Sequence, residues 1–189
     1  MAHPGILHGS RQHLPRQQDG LTLPELLITL AVISILTAGA GSHLSGFIQE
    51  SRMVVEVNSF VSALQLARNE AVKHGRRIVL CPSADGVNCA NSNAWVKGWI
   101  LFASDDRERQ SDEPVLQSGT PFEAGITMRS GNHRKRIVYQ LDGSSGGSNS
   151  SFTFCDDRKL VKPRVICLSN TGRPRLTMTR CDGKPIDCS

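Results

Sequence analysis

The chain has 189 residues, 39% of them hydrophobic, and a formal net charge of +5. That length supports one domain with a modest core plus one extended element, and it excludes an elaborate multidomain enzyme. The charge is uneven: residues 21–128 hold 8 Lys/Arg against 11 Asp/Glu and residues 129–189 hold 12 against 5, which suits the last third to an acidic or polyanionic partner such as nucleic acid or anionic lipid.

The first element in chain order is the one long apolar run, Leu21 to Gly41. As a helix it would span roughly 30 Å, enough for the hydrocarbon core of a bilayer. Arg11 and Arg16 before it and Ala38-Gly39-Ala40 near its end also fit a secretory signal peptide. Two observations weigh against that: the run is longer than a usual signal core, and helical patterning continues beyond it. From Leu44, the residues Phe47, Ile48, Val54, Val57, Phe60, Val61, Leu64 and Ala71 recur at three- and four-residue steps, which predicts an amphipathic helix. Gly75 is the expected stop, with Lys73 and His74 in the last turn. Together these parts predict one helix of about 50 residues, roughly 75 Å long, its first half apolar nearly all round. Glu25 is the only charged residue in the apolar run, and a carboxylate there is costly unless a partner charge reaches it.

After the helix the pattern changes to short strands between turn-rich segments. Arg76 to Cys81, Lys97 to Ser104, Arg136 to Leu141, Ser151 to Cys155, Arg164 to Ser169 and Arg175 to Thr179 predict an antiparallel sheet arrangement packed on the second half of the helix. The six cysteines, Cys81, Cys89, Cys155, Cys167, Cys181 and Cys188, all follow the apolar run and form no C-x-x-C. A disulfide set in an oxidising compartment is expected, so this part of the chain is exported. Six cysteines allow fifteen connectivities; proximity favours Cys81 with Cys89, Cys155 with Cys167, and Cys181 with Cys188.

No constellation for catalysis or metal binding emerges, and neither enzymatic activity nor a cofactor is expected. Gly143 to Gly147 matches G-x-S-x-G, but Ser148, Asn149, Ser150 and Ser151 follow where a helix is needed, and a flexible loop is expected. The acidic group Asp105, Asp106, Glu108, Asp112 and Glu113 is interrupted by Arg107 and Arg109, so a solvated loop is favoured over a calcium site. His3, His8 and His13 precede the apolar run, and His43, His74 and His133 are widely separated.

The informative segment is Lys162 to Leu176. A strand bearing Lys162 and Arg164 runs into Asn170-Thr171-Gly172 and then Arg173-Pro174-Arg175. Glycine permits a tight turn, proline holds an extended φ, and arginines two residues apart project to the same side. Two guanidinium groups on one edge suit successive phosphates. Arg134, Lys135, Arg136, Arg180 and Lys184 could widen the patch; the alternative is solubilising charge on a disulfide-closed tail.

Two sets of residues carry a family resemblance. Gly20 to Leu27, G-L-T-L-P-E-L-L, resembles the processing site of type IV prepilins, in which a membrane peptidase cuts after the glycine and methylates the new N-terminus. The resemblance makes 1–20 a leader, Leu21 the first mature residue, 21–43 the transmembrane and assembly half of the helix, 44–75 its amphipathic half, and 76–189 a β-rich domain. Glu25 becomes the fifth residue, which in that family pairs with the N-terminal amine of a neighbouring subunit during assembly. Leu21 stands where the family usually has phenylalanine, and Gln18-Asp19 where a basic residue is common. Trp95 to Phe102 (W-x-x-G-W-x-x-F), the glycine/serine loop before Phe152 and Phe154, and Thr171 to Arg175 are similar to the FimT, FimU and GspH group of minor pilins and pseudopilins, nearest to FimT.

The resemblance covers Gly20 to about Leu176 and implies an α+β, type IV pilin-like fold. It also implies an inner-membrane, single-pass protein with a periplasmic C-terminal domain that then joins a pilus with other pilins. The segment Gly172 to Arg175 resembles the G-R-x-R DNA-binding motif of FimT pilins, which implies uptake of extracellular double-stranded DNA in natural transformation. Binding would be mainly to phosphate and weakly sequence-selective, and aromatics at 5% of the chain make stacking on single strands the lesser mode. The rival expectation is a structural or assembly-initiating minor pilin, or a type II secretion pseudopilin, with no DNA binding.

Overall fold

A computed structural model describes residues 20–104, 114–123, 125–131 and 134–188, with the backbone alone for 37–43. The leader residues 1–19, the acidic segment Asp105 to Glu113 and His133 lie outside the described residues, as does the His43 side chain. The chain divides into two compact units, Met1–Gly41 and Ser42–Ser189.

Helix α1 is Leu23–His74. Its ends obey local chemistry: Glu25 is in the first turn, Lys73 and His74 are in the last, each complementing the helix dipole. Gly75 follows with φ +58°, a left-handed stop that glycine adopts without strain. Within the first unit, ten large apolar side chains between Leu21 and Leu36 are exposed, by 49% to 74%. The hydroxyls of Thr29 and Ser34 donate back to the carbonyls of Leu26 and Leu30, so the helix satisfies its own hydroxyls. Among the described residues no helix is long and apolar enough to cross a membrane; the described side chains of the run end at Leu36.

Within the second unit, strands β1 (Ile78–Pro82), β2 (Trp99–Ala103), β3 (Val115–Gly119), β4 (Ile126–Ser130), β5 (Ile137–Tyr139), β6 (Ser150–Asp156), β7 (Arg164–Leu168) and β8 (Pro174–Thr177) form two antiparallel sheets. Their orders are β3-β2-β1-β5 and β4-β6-β7-β8. One helix stripe, Met53, Val57, Phe60, Ala63, Leu64, Ala67 and Ala71, is buried with the inward side chains of both sheets. Phe60 makes edge contacts with Trp95, Trp99, Phe152 and Phe154, and truncating so enclosed a ring would cost about 3–5 kcal/mol. Both tryptophans of W-x-x-G-W-x-x-F are therefore core residues. Leu44, Phe47 and Ile48, expected on the same apolar stripe, are exposed.

Strands β3 and β4 are additional to the six predicted. β3 is a sheet edge whose middle residues, Leu116, Gln117 and Ser118, are all exposed, so it shows no alternation. β4 does alternate, Ile126 and Met128 inward and Thr127 and Arg129 less buried, but its five residues between glycines form a short signal.

The disulfides are Cys81–Cys89, Cys155–Cys188 and Cys167–Cys181, and no cysteine is free. Two of the three nearest-neighbour pairings are thus corrected. Cys155 and Cys167 lie on neighbouring strands, but the register sets Cys167 opposite Ser151. That offset of four residues is about 13 Å along the strand, beyond disulfide reach. Each instead captures one cysteine of the C-terminal tail, which is strapped to β6 and β7.

Candidate nucleic-acid interface

The β7–β8 hairpin is built by local chemistry. Ser169 N–H donates to the Arg173 carbonyl and Gly172 N–H to the Ser169 carbonyl, closing the turn at 3.3 and 2.9 Å. Gly172 has φ +76°, and a Cβ there would lie 2.1 Å from the Gly143 carbonyl oxygen, so only glycine fits. The turn is docked on residues 143–148: Ser145 donates its N–H to Asn170 O and its hydroxyl to Ser169 O, at 2.9 and 2.7 Å. Ser148 Oγ accepts the Val138 N–H. Ser145 and Ser148 are buried, so the glycine/serine stretch is a packed platform where a flexible loop was expected. It has no strand–turn–helix context and is no nucleophile elbow.

On β8, Arg175 pairs in register with Cys167, and Pro174 with Leu168. Inward residues of this sheet include Phe152, Phe154, Ile166 and Leu168, so alternation turns Cys167 and Arg175 outward, together with Ser151 and Thr153. Arg173, two residues before Arg175, shares that direction. Both arginines are exposed and line an open groove of about 520 Å³ with Asn149, Ser151, Ser169 and Thr171. A second cleft of about 340 Å³ adjoins it, sharing Ser151 and Cys181 and adding Arg129, Thr153, Arg180 and Asp182. Guanidinium groups among hydroxyls and amides make the first groove a set of donors for an anionic backbone.

The other basic residues of the expected patch are placed differently. Arg164 lies on the inward row of β7 and pairs with Glu50 of α1, its side chain only 15% exposed. Arg134 donates to the carbonyls of Gly147 and Asn149 at 2.9 and 3.1 Å, while its own carbonyl accepts the Trp95 indole N–H. Both are structural cations, committed to the fold. Lys135 donates to Asn91 Oδ1 at 3.2 Å, and Arg136 is half-buried. Lys162 is exposed but precedes β7, at the end of the strand away from the arginine turn, roughly 20 Å along the chain. Arg180 and Lys184 flank Asp182, with N–O distances of 3.6 and 3.8 Å. The amide N–H of Lys184 donates to Asp182; that bond first, then the charges of Arg180 and Lys184, hold its carboxyl below the usual range against some desolvation. Arg129 is the cation that sequence reasoning missed. Its signal was the Ile126/Met128 alternation, which turns Arg129 to the same outer face. No group of three or more His, Cys, Asp or Glu suited to a metal occurs among the described residues.

Residues 56–172 match the family described as type II transport protein GspH. The chain belongs to the GspH family. Residues 15–41 match the prokaryotic N-terminal methylation motif, so this GspH-family chain is a minor pilin or pseudopilin of the FimT, FimU and GspH group. The minor pilin FimU of Pseudomonas aeruginosa PAO1 is similar in structure, with 20% identity, a TM-score of 0.54, and coverage of 69% of this chain and 92% of that one. The minor pseudopilin EpsH of Vibrio cholerae aligns at 13% identity and a TM-score of 0.49, over 67% and 96% of the two chains. No curated protein sequence matches the chain. The FimU likeness agrees with the α+β, pilin-like architecture expected from the sequence.

Proposed function

We propose that this GspH-family protein is a minor type IV pilin that binds extracellular double-stranded DNA through Gly172, Arg173 and Arg175, for uptake in natural transformation. The observation that carries this is the contrast among the cations. Arg173 and Arg175 have no side-chain partner among the described residues and stand together in one open groove on a braced hairpin, whereas Arg134 and Arg164 are committed to the fold. Affinity would come from phosphate contacts, so it would be weakly sequence-selective and salt-dependent.

Delivery to the filament belongs to the same reading. A prepilin peptidase cuts after Gly20, Leu21 becomes the methylated N-terminus, and the apolar segment anchors the chain in the inner membrane with residues 76–189 in the periplasm. Glu25 then pairs with a neighbouring pilin's terminal amine, and the subunit joins the pilus. The exposed apolar surface of Leu21 to Leu36 supports this, since a surface of that size needs lipid or protein cover.

The test is gel-shift titration of the purified protein in detergent with unrelated duplexes at two salt concentrations. Arg173→Gln with Arg175→Gln should weaken binding to all duplexes about equally and reduce the salt slope by about two counterions. The family's description as a type II transport protein favours a second reading, a pseudopilin whose domain contacts only other pilins. In that case the wild-type protein would shift no duplex at moderate salt, and the arginine variants would alter secretion or pilus number.

A further inference from the structure

The C-terminal tail carries its own counter-ion. Arg180 to Lys184 forms a tight turn: Arg180 N–H donates to the Lys184 carbonyl and Gly183 N–H to the Arg180 carbonyl, both at 2.9 Å. Asp182 Oδ1 accepts the Lys184 N–H at 3.2 Å, which fixes the carboxylate inside the turn. Its other oxygen lies 3.6 Å from Arg180 and 3.8 Å from Lys184. The position of this turn is set covalently. Cys181, between Arg180 and Asp182, is bonded to Cys167, the residue that pairs in register with Arg175, and Cys181 lines both clefts of the outer face. Arg180 therefore lines the cleft that adjoins the arginine groove, and Lys184 shares with it the Asp182 carboxylate.

We propose that Asp182 masks Arg180 and Lys184 and thereby limits how tightly the groove holds a DNA backbone; the inference rests on the DNA-binding reading above. A carboxylate and a phosphate oxygen are both acceptors that compete for the same N–H donors. Arg180, Asp182 and Lys184 are all well exposed, and exposed pairs of this kind are weak. Displacing Asp182 is thus feasible, but it subtracts from the gain of each new phosphate contact. The arrangement keeps the site weak enough to release the backbone it holds. Three charges at the tip of a disulfide-closed turn set that balance without altering the two arginines that make the primary contact.

Asp182→Asn isolates the effect, because the amide oxygen still accepts the Lys184 N–H while the charge is lost. In the full-length protein in detergent, this variant should bind an unrelated duplex roughly two- to fivefold more tightly at low salt, the scale of an exposed charge pair. Its salt dependence should be steeper by up to about two counterions. Asp182→Ser, with a shorter acceptor, should give the same direction if the asparagine variant proves poorly folded. In an Arg180→Gln, Lys184→Gln background the gain should vanish. Asp85→Asn serves as control: Asp85 also accepts turn N–H groups, from Val87 and Asn88, but follows β1 of the other sheet and lines neither cleft, and its loss should leave affinity unchanged. Wild-type binding with no gain in Asp182→Asn overturns the masking role alone, as does a gain that persists without Arg180 and Lys184. Absence of wild-type binding at both salt concentrations overturns the DNA reading and this inference together.

Discussion

At Gly172 the arginine turn depends on an absent side chain. With φ at +76° and a built Cβ 2.1 Å from Gly143 O and 3.0 Å from the Tyr139 ring, Gly172→Ala combines left-handed strain with a backbone collision. It should lower unfolding stability by about 2–4 kcal/mol in urea titration, and it should weaken DNA binding although it removes no charge. Unchanged affinity in a folded Gly172→Ala protein would mean that the hairpin need not hold the arginines in place. The same scale separates arginines that look alike in sequence. Arg164 and Arg175 both sit on strands and both bear a guanidinium, but the two-residue period points one at Glu50 and the other outward.

At the level of elements, the tail is held to the sheet by cross-links instead of strand pairing. Cys155–Cys188 closes a sequence separation of 33, Cys167–Cys181 one of 14, and Cys81–Cys89 one of 8. In the chain-entropy account, the longest should stabilise by about 3–4 kcal/mol and the shortest by about 2–3. Paired Cys→Ser replacements, followed by thermal or urea unfolding, should reproduce that order, and non-reducing peptide mapping should recover Cys155 with Cys188. A map with Cys181 bonded to Cys188 would contradict the strapped tail. Loss of Cys167–Cys181 should also affect DNA binding more than loss of Cys81–Cys89, because only the former fixes residues that line the groove.

For the molecule as a whole, the exposed apolar segment and its single carboxylate set the expectations. Mass spectrometry of filament-incorporated protein should show a chain beginning at N-methylated Leu21; retention of Met1 there would contradict processing after Gly20. Glu25→Ala should still insert in the membrane, since insertion does not need the carboxylate, yet it should assemble poorly, because no carboxylate remains to select a neighbour's terminal amine. Pilus assembly that is unaffected by this substitution would remove Glu25 from the assembly step. DNA binding by the purified protein should be insensitive to the same change, as the determinants proposed for it lie on the sheet β4-β6-β7-β8.

What the amino-acid sequence determined by itself is what short-range chemistry controls. The spacing from Val57 to Ala71 was enough for a buried helix face, Gly75 for its end, and Gly172 to Arg175 for a turn with two cations on one side. The cysteines were legible as a disulfide set because composition and position carry that information. The pairing was not: whether Cys155 meets Cys167 or Cys188 depends on the register of β6 against β7, a non-local property in which a shift of four residues decides everything. The edge strand β3 was hidden for a related reason, since an exposed edge needs no apolar alternation. The division of cations into committed and available ones also belongs to tertiary structure alone. Charge is written in the sequence, but whether a guanidinium reaches Glu50, two loop carbonyls or solvent follows from which sheet face it occupies and what packs against it.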